Sequence, residues 1–308
     1  MIINQEEQTQ HFLFKNTDGG NLSGLTLIKG GAQNFTQSER TRKRKALNII
    51  PHNLSEFIHQ QTVSTSDYPS KYETKSIFEQ IVSVANRYRL SPKDSLIFYE
   101  EVIAKRPLCS GAEARFAVAS PVALAQKYFP RVNNFDSYAL RLQIVLKEIR
   151  KSRHFCNWRA GQLTSERLGQ QTRTLVALSL ISREQLGDIW VIDAQFGRYH
   201  AGQSVNYSRE LIGNTVNEFG LDAASVGDMI LENPDRFVDG HELSVDCPGD
   251  EFRLENDSIS LVPGFGFSEG KLVFGAYSVS GYFGCAGSVS AFLAPETLAL
   301  WENGQIFK

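Results

Sequence analysis

DSYALRLQIVLKEIRKSR, residues 136–153, carries apolar residues at the spacing of an amphipathic helix. An Asp-Ser pair suited to capping opens the stretch, and Leu142, Val145 and Ile149 recur on one face. Most of its Lys and Arg residues lie off that face. The stretch therefore predicts one long helix with a buried apolar side and a basic exposed side.

Three further helix starts lie upstream of this stretch. Ser76 precedes apolar residues at helical spacing, and Ser91 and Ser120 are each followed by proline, which is favoured at the first helical position. A later proline ends each of the latter two helices. Residues 76–155 are therefore predicted to form a helical part with about four helices.

Downstream of the long helix, short apolar or alternating runs predict β-strands between Gly-rich turns. The predicted strands are residues 174–181, 189–192, 242–245, 258–262, 271–277 and 288–293. Residues 221–233 are predicted to be partly helical. Helices followed by strands indicate an α+β fold, with one domain over residues 76–308 and a mainly antiparallel β-rich part in residues 156–308.

Residues 1–75 are rich in Asn, Gln, Ser, Thr and Gly and lack a sustained period. This composition predicts a polar N-terminal arm that cannot bury enough apolar surface to order itself. Packing on its own domain, binding to a protein partner or self-assembly would order it. One functional hypothesis is therefore a structural or assembly protein, such as a viral or phage component.

The charges of the chain are unevenly distributed. Residues 76–200 hold 18 Lys and Arg against 11 Asp and Glu, whereas residues 201–308 hold 5 against 16. The asymmetry indicates either an internal dipole or two surfaces with different partners.

The composition excludes a membrane-spanning protein, because no apolar run approaches the roughly 18 residues that a spanning helix needs. The N-terminus lacks the basic and apolar regions of a Sec-type signal peptide. Four widely spaced cysteines predict reduced thiols. We expect a cytoplasmic protein, with export by a machine that reads a polar leader as the alternative.

Cys156 and His200 form the candidate catalytic constellation. Residues 157–168 are predicted to be helical, so Cys156 would lie at a helix N-terminus, where a thiolate is stabilised. His200 follows a predicted strand and is a candidate general base. Together they favour nucleophilic chemistry by an activated thiol.

The order of these elements resembles the papain-like NlpC/P60 hydrolases over about 60 residues. The shared features are a cysteine before a helix, a Gly-Asp pair at residues 187–188 before an apolar strand, and a His-Ala-Gly. The resemblance implies a cysteine hydrolase acting on an amide or thioester bond, with Cys156 as nucleophile and His200 as base. The candidates for orienting the imidazole are Asn206, Asn214 and Asp222, of which Asn214 is chosen. Such an enzyme with a polar leader would suit a secreted bacterial effector or toxin.

Basic clusters support a third hypothesis, nucleic-acid binding. Residues 40–45 read RTRKRK, and the predicted helices before and after residue 130 form a helix–turn–helix-like unit with a basic second helix. Phosphate contacts supply the main affinity for nucleic acids. The candidate phosphate contacts are Arg42, Lys43, Arg44, Lys147, Arg150, Lys151 and Arg153.

Residues 241–251, HELSVDCPGDE, gather a histidine, a thiol and four carboxylates. Strand alternation would place His241 and Cys247 on one face and Glu242 and Asp246 on the other. No ligand spacing of a known metal site is present. The Gly-rich C-terminal strands also lack the context of a dinucleotide-binding motif. We therefore expect neither a metal nor a cofactor.

Overall fold

A computed structural model describes residues 60–132, 134–254 and 260–302. The helices are α1 Ile77–Tyr88, α2 Lys93–Glu101, α3 Pro121–Tyr128, α4 Asn134–Ser152, α5 Thr172–Glu184, α6 Val205–Asn214, α7 Ala223–Glu232 and α8 Pro295–Glu302. The strands are β1 Ala114–Ala119, β2 Phe155–Asn157, β3 Leu168–Gln170, β4 Ile189–Gln195, β5 Glu218–Gly220, β6 Ser244–Asp246, β7 Asp250–Phe252, β8 Leu261–Ser268, β9 Lys271–Ser278, β10 Ala286–Ser288 and β11 Ser290–Phe292. Among the described residues, no helix has the length and apolar character needed to cross a membrane.

Two sheets organise the described part of the chain. The first has the strand order β1-β4-β11-β5 and is antiparallel throughout. In the second, β8 is central, with β9 and then β2 on one side, and β6–β10 and β7–β3 on the other. The β6–β10 and β2–β9 pairs are parallel, and the other pairs in this sheet are antiparallel. The predicted α+β fold with a mainly antiparallel β-rich region is confirmed.

Local capping signals place the helices. The Ser76 hydroxyl accepts from the N–H of Glu79, whose carboxylate accepts in return from Ser76, so a capping box starts α1. Ser120 caps α3, with Pro121 at its first turn. The buried face of α4, which includes Leu142, packs against α7 and β2. The capping residues therefore fix where these helices begin, and burial of their apolar faces holds them.

Two predicted elements are wrong. Residues 174–181 belong to α5 rather than to a strand, because a short apolar run fits a buried helix as well as a buried strand. Residues 157–168 do not form a helix. The side-chain oxygen of Asn157 accepts from the N–H of Arg159, and this local turn competes with a helix. The N–H of Trp158 donates to the carbonyl of Phe274.

The predicted helical and β-rich parts interleave in the structure. Strand β1 lies within residues 76–155, and its ARFAVA sequence pairs along its whole length with β4. Helices α5 to α8 lie within residues 156–308. The first sheet is thus built from strands on both sides of the long helix α4.

Residues 60–67, here called the strap, lie along the edge of the second sheet near β10. The N–H of Thr65 donates to the carbonyl of Gly284, and the N–H of Leu243 donates to the carbonyl of Asp67. These contacts pair main-chain groups of the segments that lead into β10 and β6. The described end of the predicted arm therefore packs on its own chain, and residues 1–59 lie outside the described residues.

Tyr68 anchors the chain directly after the strap. Its ring lies between the guanidinium groups of Arg198 and Arg236, which are 4.0 and 3.9 Å from the ring centroid. Its hydroxyl donates to the carboxylate of Glu113. Burial raises the pKa of Tyr68, so the phenol stays protonated as a donor.

Candidate functional site

A cleft of about 470 Å³ lies between the end of β4, helix α6 and strand β5. One apolar residue and one exposed aromatic ring line it together with amide, hydroxyl, imidazole and carboxylate groups. The lining residues are Tyr199, His200, Gln203, Leu211, Asn214, Thr215 and Glu218. A cleft with a few converging polar groups is the usual form of a small-molecule site.

His200 reaches the floor of the cleft because the chain turns sharply after β4. Gly197 adopts φ +107°, which favours glycine. A Cβ atom there would also lie 3.0 Å from a methyl group of Val245 and 3.1 Å from the carbonyl of Gly287. The following 3-10 turn, Arg198–His200, directs the imidazole inward, where it is 1% exposed.

Both ring nitrogens of His200 have side-chain partners. Nε2 lies 2.8 Å from Oε1 of Glu218, and Nδ1 lies 3.0 Å from Oε1 of Gln203. Glu218 is buried, and its carboxylate accepts the Nε2 proton. The Gln203 atom that faces Nδ1 is an amide oxygen, which can only accept, so Nδ1 donates to it in this conformation. The Ser208 hydroxyl also donates to Gln203, at 3.3 Å. Gln203 therefore occupies the ring nitrogen that a ligand would have to reach.

The first sheet positions Glu218. The hydroxyl of Ser290 donates to Oε1 of Glu218 at 2.5 Å, and Nε2 of Gln195 donates to the Ser290 oxygen at 2.9 Å. These three residues come from adjacent strands β5, β11 and β4. Each residue thus fixes the rotamer of the next, as a preorganised site requires.

The structure does not bring Cys156 and His200 together, so the predicted dyad is wrong. Cys156 lies in β2 at one edge of the second sheet, whereas the turn after His200 pairs with β10 at the other edge. A line across the sheet from Ala201 to Asn157 passes through β10, β6, β8 and β9, and so crosses five successive strand pairings. At about 4.8 Å a step, the separation is on the order of 20 Å. Cys156 also lies in a strand, without the helix N-terminus that would stabilise its thiolate.

Asn214 lines the same cleft as His200, yet it does not orient the imidazole, which is the role predicted for it. That role falls to Glu218, and Asn214 lies at the end of α6 on the cleft wall. Asp222 caps α7 through the N–H of Ser225 and cannot serve His200. Glu218 gives no local sequence signal, because its three-residue strand is too short to show a period.

The other cysteines have different environments. Burial and the neighbouring Asp193 raise the pKa of Cys109 to about 12, and burial raises the pKa of Cys247 well above its ordinary value. Cys285 is exposed. All four are free thiols, and burial and neighbouring carboxylates suppress ionisation at two of them.

The predicted phosphate contacts separate into two groups. Lys147, Arg150 and Lys151 are exposed on α4, and Lys151 pairs with Glu148 at 2.6 Å. Arg153 instead donates to the carbonyls of residues 234 and 237, and burial lowers its pKa. Arg42, Lys43 and Arg44 lie outside the described residues.

The helix–turn–helix interpretation of α3 and α4 stays a prediction. A recognition helix must present its N-terminal half to base edges. Within residues 137–143 of α4, Tyr138, Ala139, Arg141 and Leu142 are buried, and Gln143 is exposed. Three exposed cations at the C-terminal half of α4 remain available for phosphate contacts alone.

A second buried polar network, here called the sealed cluster, lies between α4, α7 and the sheets. Its members are Tyr88, Tyr138, Arg141, Asp222, Asp228 and Asp250. The Tyr138 hydroxyl donates to Asp250, and the Tyr88 hydroxyl donates to Asp228 at 2.5 Å. Nη2 of Arg141 lies 3.6 Å from Asp222. Desolvation raises the pKa of Asp228 to about 6 and that of Asp250 well above its ordinary value.

Asp250 of the predicted acidic set therefore belongs to the sealed cluster. His241 is exposed, and its N–H donates to Asp239. Within the part of the chain that the structure describes, no group of three His, Cys, Asp or Glu side chains has metal-binding geometry.

Comparison with known proteins gives no match. Neither a family model, nor a curated protein, nor a solved structure is similar to this chain. The function therefore has to be inferred from the cleft and its chemistry.

Proposed function

We propose that this protein is a hydrolase of neutral amides or thioesters, with its catalytic centre in the His200 cleft. The buried His200–Glu218 pair on the floor of the cleft carries the proposal. A histidine held by a carboxylate through one nitrogen is the usual arrangement of a general base. The proposal keeps the reaction class that the NlpC/P60 resemblance implies, and water replaces Cys156 as the nucleophile.

The reaction follows from the orientation of the imidazole. Substrate binding displaces the Gln203 carboxamide, and the Nδ1 proton that pointed at its oxygen passes to solvent. Nδ1 of His200 then accepts a proton from a water molecule that attacks the substrate carbonyl. Glu218 stabilises the imidazolium that forms. The imidazolium returns the proton to the leaving amine or thiol, so the products are a carboxylic acid and an amine or thiol.

The lining of the cleft supports a neutral substrate. Glu218 is the charged carboxylate of the lining, and no Lys or Arg is among the lining residues that the structure describes. An anionic ligand would therefore face a negative group without a compensating cation. Asn214 and Thr215 offer hydrogen bonds, and the Tyr199 ring, 62% exposed, offers a stacking surface.

The test is hydrolysis of a panel of neutral p-nitroanilides and thioesters by the purified chain. We expect His200→Gln to lower kcat/KM by about 10²–10⁴-fold, the usual contribution of a general base. The matched control is His241→Gln, which alters an exposed histidine outside the cleft and should retain the unsubstituted rate. Equal rates in the two variants would contradict the proposal.

A second candidate function, self-assembly, is favoured by an exposed apolar surface beside the strap. Val63, Tyr282 and Phe283 are 83%, 46% and 57% exposed. Gly284, next to Phe283, packs against the main chain of Val63, so these side chains share one region. Exposed apolar clusters commonly mark protein interfaces. The solution mass of the chain and of Phe283→Ser, measured by light scattering, tests this: a larger species lost in the variant supports assembly.

A further inference from the structure

We propose that the strap regulates the His200 cleft by holding the side-chain amide of Gln203 against Nδ1 of His200. This inference rests on the proposed function, because it explains how a catalytic nitrogen comes to be occupied by a protein side chain. Withdrawal of the strap would free the Gln203 segment and expose Nδ1. The described conformation is then the closed state of the site.

The strap contacts residues 202–204, here called the Gln203 segment. Gln61 and Gln203 form an antiparallel bridge. The N–H of Thr62 donates to the carbonyl of Gly202 at 2.7 Å, and the N–H of Ser204 donates to the carbonyl of Gln60 at 2.8 Å. These bonds flank Gln203 on both sides, so the strap fixes its main chain.

The strap also holds the cleft wall. The Ser204 hydroxyl donates to the side-chain oxygen of Gln60 at 2.7 Å and accepts from the N–H of Tyr207. Ser204 is the N-cap of α6, the helix that carries Leu211 and Asn214 of the cleft. A change in the strap is therefore transmitted to the start of α6 as well as to Gln203.

The strap packs closely against Gly202, but most of its side chains are exposed. Gly202 has φ +77°, and a Cβ atom there would lie 2.2 Å from the carbonyl oxygen of Thr62, so only glycine admits the strap. The side chains of residues 61–65 are exposed. Residues 61–65 are thus held mainly by main-chain hydrogen bonds, whereas Asp67 at the end of the strap pairs with Arg198. Segments with few buried side chains open at low free-energy cost.

The experiment compares two proline substitutions in the strap of the full chain. Thr62→Pro removes the N–H that donates to Gly202, whereas Val63→Pro removes an N–H with no hydrogen-bond acceptor among the described residues. The probe is diethyl pyrocarbonate, which modifies accessible unprotonated imidazole nitrogen. Peptide mapping by mass spectrometry gives the modification rate of His200 itself.

We expect Thr62→Pro to raise the His200 modification rate by roughly tenfold, as the loss of one or two hydrogen bonds allows. Val63→Pro should leave the rate within about twofold, since its pairing is intact. Equal rates in Thr62→Pro and the unsubstituted chain, or an equal rise in both variants, would overturn the proposal.

Gln203→Ala supplies a second measurement that does not depend on the strap. It frees Nδ1 directly and should raise the modification rate of His200 as Thr62→Pro does. The double variant Thr62→Pro/Gln203→Ala should then match Gln203→Ala alone, because both changes act on one contact. Additive effects would overturn the proposal. Since the readout is modification and not turnover, a failure here leaves the hydrolysis assay to judge the proposed function separately.

Discussion

The His200 cleft and the sealed cluster are both buried networks of charged and polar side chains, and they differ in access. In the cleft, His200 and Glu218 border an open volume of about 470 Å³. In the sealed cluster, Tyr138, Arg141 and Asp250 are buried, and they do not line the His200 cleft. The raised pKa values of Asp228 and Asp250 in the cluster therefore reflect desolvation inside the core. Burial of charged groups alone does not mark a functional site.

The two networks also differ in what holds them. Arg141 offsets two buried carboxylates, Asp222 and Asp228, and Arg87 also acts on Asp228. In the cleft, strands of the first sheet supply an uncharged partner, Ser290, to a single carboxylate, and Gln195 donates to Ser290 in turn. The cluster should therefore matter most for stability and the cleft for activity.

The largest expected effect is on stability, in the sealed cluster. Arg141→Met removes the ion-pair partner of Asp222 and one of the two arginines near Asp228, and we expect it to lower the free energy of unfolding by about 3–5 kcal/mol. Arg150→Met, on the exposed face of the same helix, should change it by less than about 0.5 kcal/mol. Urea denaturation of both variants measures the difference. Similar losses of unfolding free energy in the two variants would show that Arg141 contributes no more to stability than an exposed arginine.

The next effect is the pH dependence of stability. The pKa of Asp228 is raised to about 6 from an ordinary value near 3.8, so the folded chain holds a proton that the unfolded chain has released between these values. The contribution of Asp228 to the free energy of unfolding is present at low pH and is lost as the pH rises through about 6. The loss is about 3 kcal/mol.

Urea denaturation between pH 5 and pH 8 covers the upper part of this window, in which roughly half of the loss falls. Asp250, whose pKa is also raised, acts in the same direction. Asp228→Asn should flatten the part of the profile near pH 6. An unfolding free energy that rises over this range would contradict the burial argument for Asp228.

The smallest expected effect concerns the thiols. Because Cys156 lies far from the cleft, Cys156→Ala should leave the hydrolysis rate within about twofold. Cys285→Ala serves as the matched control, since that cysteine is exposed and also outside the cleft lining. A loss of activity in Cys156→Ala alone would restore the thiol nucleophile that the sequence suggests.

The elements that the sequence predicts well carry local signals. Ser76 and the Ser120-Pro121 pair specify helix starts within a few residues, and the α4 period is long enough to identify a helix. The apolar run inside α5 is short, and its period does not separate helix from strand. Local order is therefore predictable where caps and long periods coincide.

The candidate site is only partly predictable for a related reason. His200 and Asn214 are recognised by residue type, and the structure places both in the cleft. Glu218 becomes the partner of His200 through the pairing of β5 with β11, a non-local contact that no spacing in the chain encodes. The error at Cys156 has the same origin, since five strand pairings separate it from the cleft.

The most direct measurement compares one chemical change, carboxylate to amide, in the two networks. We would measure kcat/KM on the neutral amide and thioester panel for Glu218→Gln and for Asp228→Asn, with urea denaturation of each. If the cleft is the catalytic centre, Glu218→Gln lowers kcat/KM by at least about 100-fold, while Asp228→Asn stays within about threefold and alters stability instead. Comparable activity in both variants would contradict the assignment of the active site to the His200 cleft.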